Sequence, residues 1–249
     1  MKIIIAPAKK MIVDTDTFNY EQLPEFLDSS RLILSEMKKL DYKEAKILWK
    51  CSDKLARNNF EWLQKMELNK HLTPALIAFS GIQYQYMAPD LFTEPALDYV
   101  RKNLRILSGF YGILRPFDGV VPYRLEMQSE LEVPGFKNLY NLWGSRIYQA
   151  LSSDSEPIVN LASQEYAKTV TPYLLSGQRF VTVVFGSIVD GKLRTKATLA
   201  KMARGEMVRF MAENNIKDIN EIKQFDNPDW QFSQQDSIDE RIVFIHQKR

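Results

Sequence analysis

The chain has 249 residues, 45% of them apolar and 26% charged, long enough to bury a full core and ordinary in composition for a globular protein. Its 33 basic and 31 acidic residues leave a net charge of +2. That excludes a global polycation, so any nucleic-acid site must come from local clustering. A single cysteine excludes an internal disulfide framework, and no apolar run approaches the length of a membrane span.

The opening MKIIIAPAKK has too short an apolar stretch for a signal peptide, and with the lone cysteine it points to a cytosolic protein with no membrane partner. Residues 2–6 read as a short buried strand, β-branched and stopped at Pro7. Lys9 and Lys10 follow at its carboxyl end, the usual ligand position in an open α/β sheet. Adjacent lysines repel each other and gain from a polyanion; two exposed loop lysines are the plain alternative.

Residues 28–40 place Leu32, Leu34, Met37 and Leu40 near helical spacing. Asp41 with Glu44 has the form of a capping box, restarting a helix that runs to about Lys50. Ser52 or Asp53 can cap a third helix carrying Leu55, Phe60, Leu63 and Met66. Together they predict a compact helical insertion over about residues 28–68.

Residues 75–79 are a predicted strand leading into a Ser80–Gly81 turn, 94–103 a helix and 105–107 a short strand. The segment 107–127, LSGFYGILRPFDGVVPYRLEM, fits neither period. It combines Gly109, Gly112, Gly119, Pro116 and Pro122 with four aromatics and the ions Arg115, Asp118, Arg124 and Glu126. Turn-rich segments with fixed ions are where sites tend to be built. An ordinary connection held down by Arg–Asp pairs is the alternative.

Further on, the pattern predicts a helix over 139–151, a strand over 158–161, a helix over 163–175 and a strand over 180–189. Asp190–Gly191 is a hairpin signal into residues 192–194, and Thr195 can cap a long helix to about Asn214. Residues 230–233 and 241–246 suggest a final antiparallel pair. No repeat or linker is visible. The expectation is one α/β (α+β) domain over 1–249 with a mixed central sheet and flanking helices.

The long helix places Leu199, Met202, Ala203, Met207, Phe210 and Met211 on one face, with Lys201, Arg204 and Arg209 flanking the other and Gly205 between them. Glycine weakens a helix interior but admits another backbone or a ligand, and Lys196 in the first turn opposes the helix dipole unless an anion sits there. A solvated polar face is the plainer explanation. In NLASQEYAK, residues 160–168, Ser163 and Glu165 suit a helix start, while Glu165 and Lys168 can line the same cleft as the arginines. Glu126 with Glu165 is a candidate acid/base pair.

The two histidines are far apart and the cysteine is alone, so no metal constellation and no histidine triad is offered; neither a dinucleotide fingerprint nor a P-loop occurs, and no cofactor is implied. Cys51, flanked by Ile47, Leu48 and Leu55, is expected to be a buried small residue rather than a peroxide sensor.

The segment 107–127 resembles the signature of the YaaA peroxide-stress protein family. The resemblance extends through IIIAPAKKM at 3–11, SDKLA at 52–56, AFSGIQYQ at 78–85, YNLWG at 140–144, NLASQEYAK and KATLAKMARGEMVRF at 196–210. It implies a cytosolic protein of the hydroperoxide response that limits free iron and oxidative damage to DNA. It also implies a helix-hairpin-helix DNA-binding element, here over 41–60, with Lys43, Lys46, Lys50, Lys54 and Arg57 as phosphate contacts. That turn, Lys50-Cys51-Ser52-Asp53, lacks the glycines such hairpins use.

The residues and the resemblance together suggest a basic cleft for a phosphate-rich partner, first of all duplex DNA of little sequence specificity. Lys9, Lys10, Arg115, Arg124 and Lys168 would line it with Lys196, Lys201 and Arg204, and Tyr123 and Trp143 would stack on bases or sugars. An enzyme acting on a nucleotide or another small phosphorylated substrate, with Glu126 or Glu165 as general base, is the rival reading. A protein-interaction factor in iron regulation is the third. A long open groove suits a polyanion, whereas an enclosed pocket with a buried glutamate suits a small substrate.

Overall fold

A computed structural model describes residues 1–151 and 156–247. β1 (Lys2–Ile5) forms where three consecutive isoleucines favour extended backbone, and all three are fully buried. α1 (Leu27–Lys39) turns Leu27, Ile33, Leu34 and Met37 inward. The capping box opens α2 (Tyr42–Trp49): the Asp41 carboxylate accepts from the Glu44 N–H at 2.9 Å, and Glu44 accepts from the Asp41 N–H at 2.8 Å. After α2 the chain turns through Lys50 at φ 45° into α3 (Asp53–Lys65), which carries no side-chain cap at Ser52.

β2 (Thr73–Pro74) leads directly into α4 (Ala75–Ala78), so the strand expected over 75–79 is a helical turn. A short apolar run does not by itself separate a strand from a buried helix segment. Here the Ala75 and Leu76 N–H groups donate to the carbonyls of Asp118 and Pro116 at 2.9 and 2.8 Å, so the signature segment supplies the partners a sheet would have offered. Then come α5 (Ile82–Met87), α6 (Glu94–Asn103), β3 (Leu104–Ser108), β4 (Gly112–Leu114) and β5 (Gly119–Val120).

The helix expected over 139–151 is broken into α7 (Leu139–Trp143) and α8 (Arg146–Leu151), because Gly144 sits at φ +50° between them. β6 (Ile158–Asn160) precedes α9 (Gln164–Ala167), far shorter than the helix expected to Leu175. Thr169 Oγ1 donates to the Tyr166 carbonyl at 2.7 Å and Pro172 lies just beyond, and both disfavour continuing the helix. β7 (Phe180–Val189) and β8 (Lys192–Arg194) make the expected hairpin, with Asp190 and Gly191 at positive φ. α10 (Ala197–Glu213) starts after Lys196 rather than Thr195, and β9 (Trp230–Ile238) pairs antiparallel with β10 (Arg241–His246).

The strands form a mixed sheet in the order β4-β3-β1-β6-β7-β10-β9, with β8 added to β7 and helices packed around it: an α/β fold. β3, β1, β6, β7 and β10 run parallel, while β4, β8 and β9 are antiparallel to their neighbours. One contiguous core joins the sheet to α1, α2 and α3 through Met37, Trp49 and Leu63.

Candidate functional site

β1 sits between β3 and β6, so the chain leaves β1 toward one side of the sheet and later returns on the other. In open α/β sheets ligands bind outside the carboxyl ends of strands at such a reversal. A cavity of about 490 Å³ opens there. The residues after β1 supply Lys9 and Lys10, the end of the signature segment supplies Tyr123, Arg124 and Glu126, and the residues after β6 supply Ser163, Glu165 and Tyr166. α5 and α10 close the remaining side with Gln83, Lys201 and Arg204.

The lysine loop is anchored. The Tyr84 hydroxyl donates to the Ala6 carbonyl at 3.0 Å, and the Ser80 N–H donates to the Lys10 carbonyl at 3.0 Å. Lys9 Nζ lies 2.7 Å from Glu126 Oε1, pairing one cation of the cavity with one carboxylate. Lys10, Arg124, Lys201 and Arg204 have no side-chain partner among the described residues.

The two arginines are the most informative pair. Both Arg124 Nε and Arg204 Nε are buried without an acceptor, and so is the donor Nε2 of Gln83, whose side chain is 6% exposed. Burial pushes the Arg204 guanidinium below its usual pKa. A guanidinium keeps its proton regardless, so the burial is a cost that no acceptor among the described residues offsets at Nε. Buried donors are normally satisfied, and three orphaned ones lining one cavity mark a place for acceptor atoms.

Glu165 is, with Glu126, one of two half-buried carboxylates lining the cavity. Burial raises its pKa, the Gln128 N–H donating at 3.2 Å opposes that, and the charge of Glu126 raises it further. Burial likewise keeps the hydroxyls of Tyr84, Tyr123 and Tyr166 protonated.

Several expected site residues lie elsewhere. Trp143 is fully buried, donates from Nε1 to the Gly109 carbonyl at 3.0 Å and has its ring against Gly112, where a Cβ would come within 2.7 Å of it. It has no face left for a base or sugar. Tyr123 lines the cavity but stacks on Phe110 at 5.0 Å and bonds Ser108 at 2.7 Å, so it is floor rather than platform. The aromatics of the signature segment are core. Arg115 is turned outward, donating to Gln22 Oε1 at 3.0 Å and lying 3.6 Å from Glu25. Lys168 and Lys196 are exposed outside the cavity lining. Arg204 is not on a solvated face of α10 but beside Gly205, where α10 meets α5.

In the helical insertion, Asp53 gathers the charge. The Tyr42 hydroxyl, Lys46 and Arg57 bond its carboxylate at 2.7, 2.9 and 2.9 Å and hold it well below the usual carboxylate range. Lys50 lies 3.8 Å from Glu130, which leaves Lys43 and Lys54 exposed and unpaired among the described residues. Cys51 is half-buried and packs against the core.

Gln83 is the residue that sequence reasoning passed over. It lies inside the motif AFSGIQYQ, and its signal is a polar side chain on the buried face that α5 shares with Tyr84 and Met87. Among the described residues no group of three or more His, Cys, Asp and Glu is placed to hold a metal, and no helix is long and apolar enough to cross a membrane.

Comparison with known proteins places these features in a family. A UPF0246 protein of Lactiplantibacillus plantarum is 62% identical over 247 residues, 99% of this chain and all of that protein. UPF0246 proteins of Pediococcus pentosaceus and Limosilactobacillus reuteri are 54% and 53% identical over 245 residues, 98% of each chain. The family model described as peroxide stress protein YaaA matches residues 1–236, and the chain belongs to that family.

Proposed function

We propose that this protein serves the peroxide-stress response from the cytoplasm by binding a small phosphorylated ligand in the cavity at the carboxyl ends of β1 and β6. The observation that carries this reading is the pair Arg124 and Arg204, each with a buried Nε that has no acceptor, on the same wall system as Lys10 and Lys201. Guanidinium groups suit bidentate contact with phosphate, and a concave site of several hundred cubic ångströms suits a metabolite-sized molecule. Duplex DNA has less support. A rigid duplex does not enter a cavity of about 490 Å³, and Lys46 and Arg57 of the insertion are already bonded to Asp53.

Native mass spectrometry of freshly purified protein, followed by titration with ribose 5-phosphate, tests the reading. A small phosphorylated adduct is expected, with Arg204→Lys binding ribose 5-phosphate at least tenfold more weakly because lysine lacks the planar fork. Absence of any phosphate-bearing ligand, together with tight and salt-sensitive binding of an unrelated-sequence duplex, would turn the assignment toward DNA.

A further inference from the structure

The cavity is not uniformly basic, and its acidic part selects among phosphorylated molecules. Glu126 is matched by Lys9 at 2.7 Å, whereas Glu165 makes no ion pair within bonding distance among the described residues. One of its oxygens accepts the Gln128 N–H at 3.2 Å, the Met127 N–H also acts on the carboxylate, and Lys9 acts on it only through its charge. An unmatched carboxylate in an anion site repels the anion unless the ligand brings donors to it. A carboxylate accepts and does not donate, so it favours a ligand edge made of N–H groups.

Beside the donors on α5 and α10 and this carboxylate, the cavity lining includes apolar side chains. Pro7, Leu125 and Ile82 are among them, and Ile82 remains 37% exposed at the cavity surface, where a flat ring could cover it. The volume of about 490 Å³ exceeds what a phosphate group alone would fill. Anion-binding donors, apolar surface and a carboxylate acceptor in one cavity match a phosphate, a sugar and a base.

We infer that the ligand is a nucleoside monophosphate, its phosphate held by Arg124, Arg204 and Gln83 and the N–H edge of its base accepted by Glu165. This rests on the reading of the cavity as a phosphate site. Among the bases guanine offers the fullest donor edge, with N1–H beside the N2 amino group. Glu165 is thereby a specificity residue, and its neighbour Gln128 orients it through the backbone.

The test compares GMP with ribose 5-phosphate by isothermal titration calorimetry on the full chain and on Glu165→Gln. In the parent, GMP should bind at least tenfold more tightly than ribose 5-phosphate. In Glu165→Gln that margin should vanish while ribose 5-phosphate is retained or binds more tightly, which also reports an intact cavity. If ribose 5-phosphate binds the parent and GMP gains nothing, the base assignment falls and the phosphate site stands. If neither binds, both fall. A margin that survives Glu165→Gln would remove Glu165 from base recognition and overturn the inference.

Discussion

Gly205 lies directly against the backbone of Gln83: a Cβ at position 205 would come within 2.0 Å of the Gln83 carbonyl oxygen and 2.9 Å of the Met87 nitrogen. The absent side chain sets how closely α10 approaches α5, and so sets the placement of Arg204 on one helix against Gln83 on the other. Two effects compete in Gly205→Ala. Helix propensity favours alanine by about 1 kcal/mol, whereas forcing a methyl into packed backbone costs about 1–3 kcal/mol. Backbone cannot move aside as a flexible side chain does, so the clash should win. The expected result is a melting temperature lowered by several degrees and weaker binding of ribose 5-phosphate. A higher melting temperature would show that the two helices separate without strain.

Anion affinity should depend on pH through Glu165. Its carboxyl titrates above the ordinary value of 4.5, first because of burial. Above that pKa the group is charged and repels an anion; as pH falls through it, the repulsion is lost and affinity rises. Sulfate, which does not titrate in this range, is the probe. Its affinity should climb as pH is lowered from neutral toward the ordinary carboxyl value, and Glu165→Gln should bind it on the order of tenfold more tightly at neutral pH with a flatter profile. Identical profiles for parent and variant would mean that Glu165 does not face the bound anion.

The mixed sheet and the candidate site are legible in the sequence in unequal measure, for physical reasons. Ile3, Ile4 and Ile5 announced a buried strand because β-branching and burial agree there, and Asp41 with Glu44 announced a helix start because the box is local. Local signals also single out Lys9, Lys10 and Arg124, which line one cavity. Burial, however, depends on distant partners. Trp143 reads as a free aromatic until Gly112 and the Gly109 carbonyl close over it, and Arg115 reads as a site residue until Gln22 and Glu25 meet it. Periodicity alone puts Arg204 on the polar face of its helix, because it carries no information that α5 packs beside Gly205.

Asp118 should impose a second pH dependence, on stability. It is 2% exposed, accepts from the Arg115 N–H and from Gln22 at 2.8 Å each, and burial lifts its pKa to about 6. In the unfolded chain the same carboxyl releases its proton near the ordinary value of 3.8. Between those values the native state binds more protons than the unfolded one, so stability falls as pH rises from about 4 to 6, by up to roughly 3 kcal/mol. In Asp118→Asn nothing titrates at this position. Thermal melts from pH 4.5 to 7 should therefore show a smaller fall in stability than the parent. Parallel profiles would show that Arg115 and Arg105 keep the native carboxyl ionised throughout.

The peroxide context makes Cys51 the tempting centre of a redox mechanism, and its surroundings argue otherwise. A sensing thiol requires exposure, a lowered pKa and commonly a second thiol to resolve the oxidised form. Cys51 is the only cysteine of the chain, is half-buried and packs against the core in the turn between α2 and α3. Of the cations nearby in sequence, Lys46 and Arg57 are already bonded to Asp53, whereas Lys54 stays unpaired among the described residues. Cys51→Ser should then cost about 1–3 kcal/mol through a poorly paired hydroxyl and leave peroxide protection within about twofold of the parent. Survival under hydrogen peroxide, in cells carrying the variant at normal abundance, is the measurement. Complete loss of protection with the protein folded would make this thiol the sensor and leave the arginine cavity a subsidiary role.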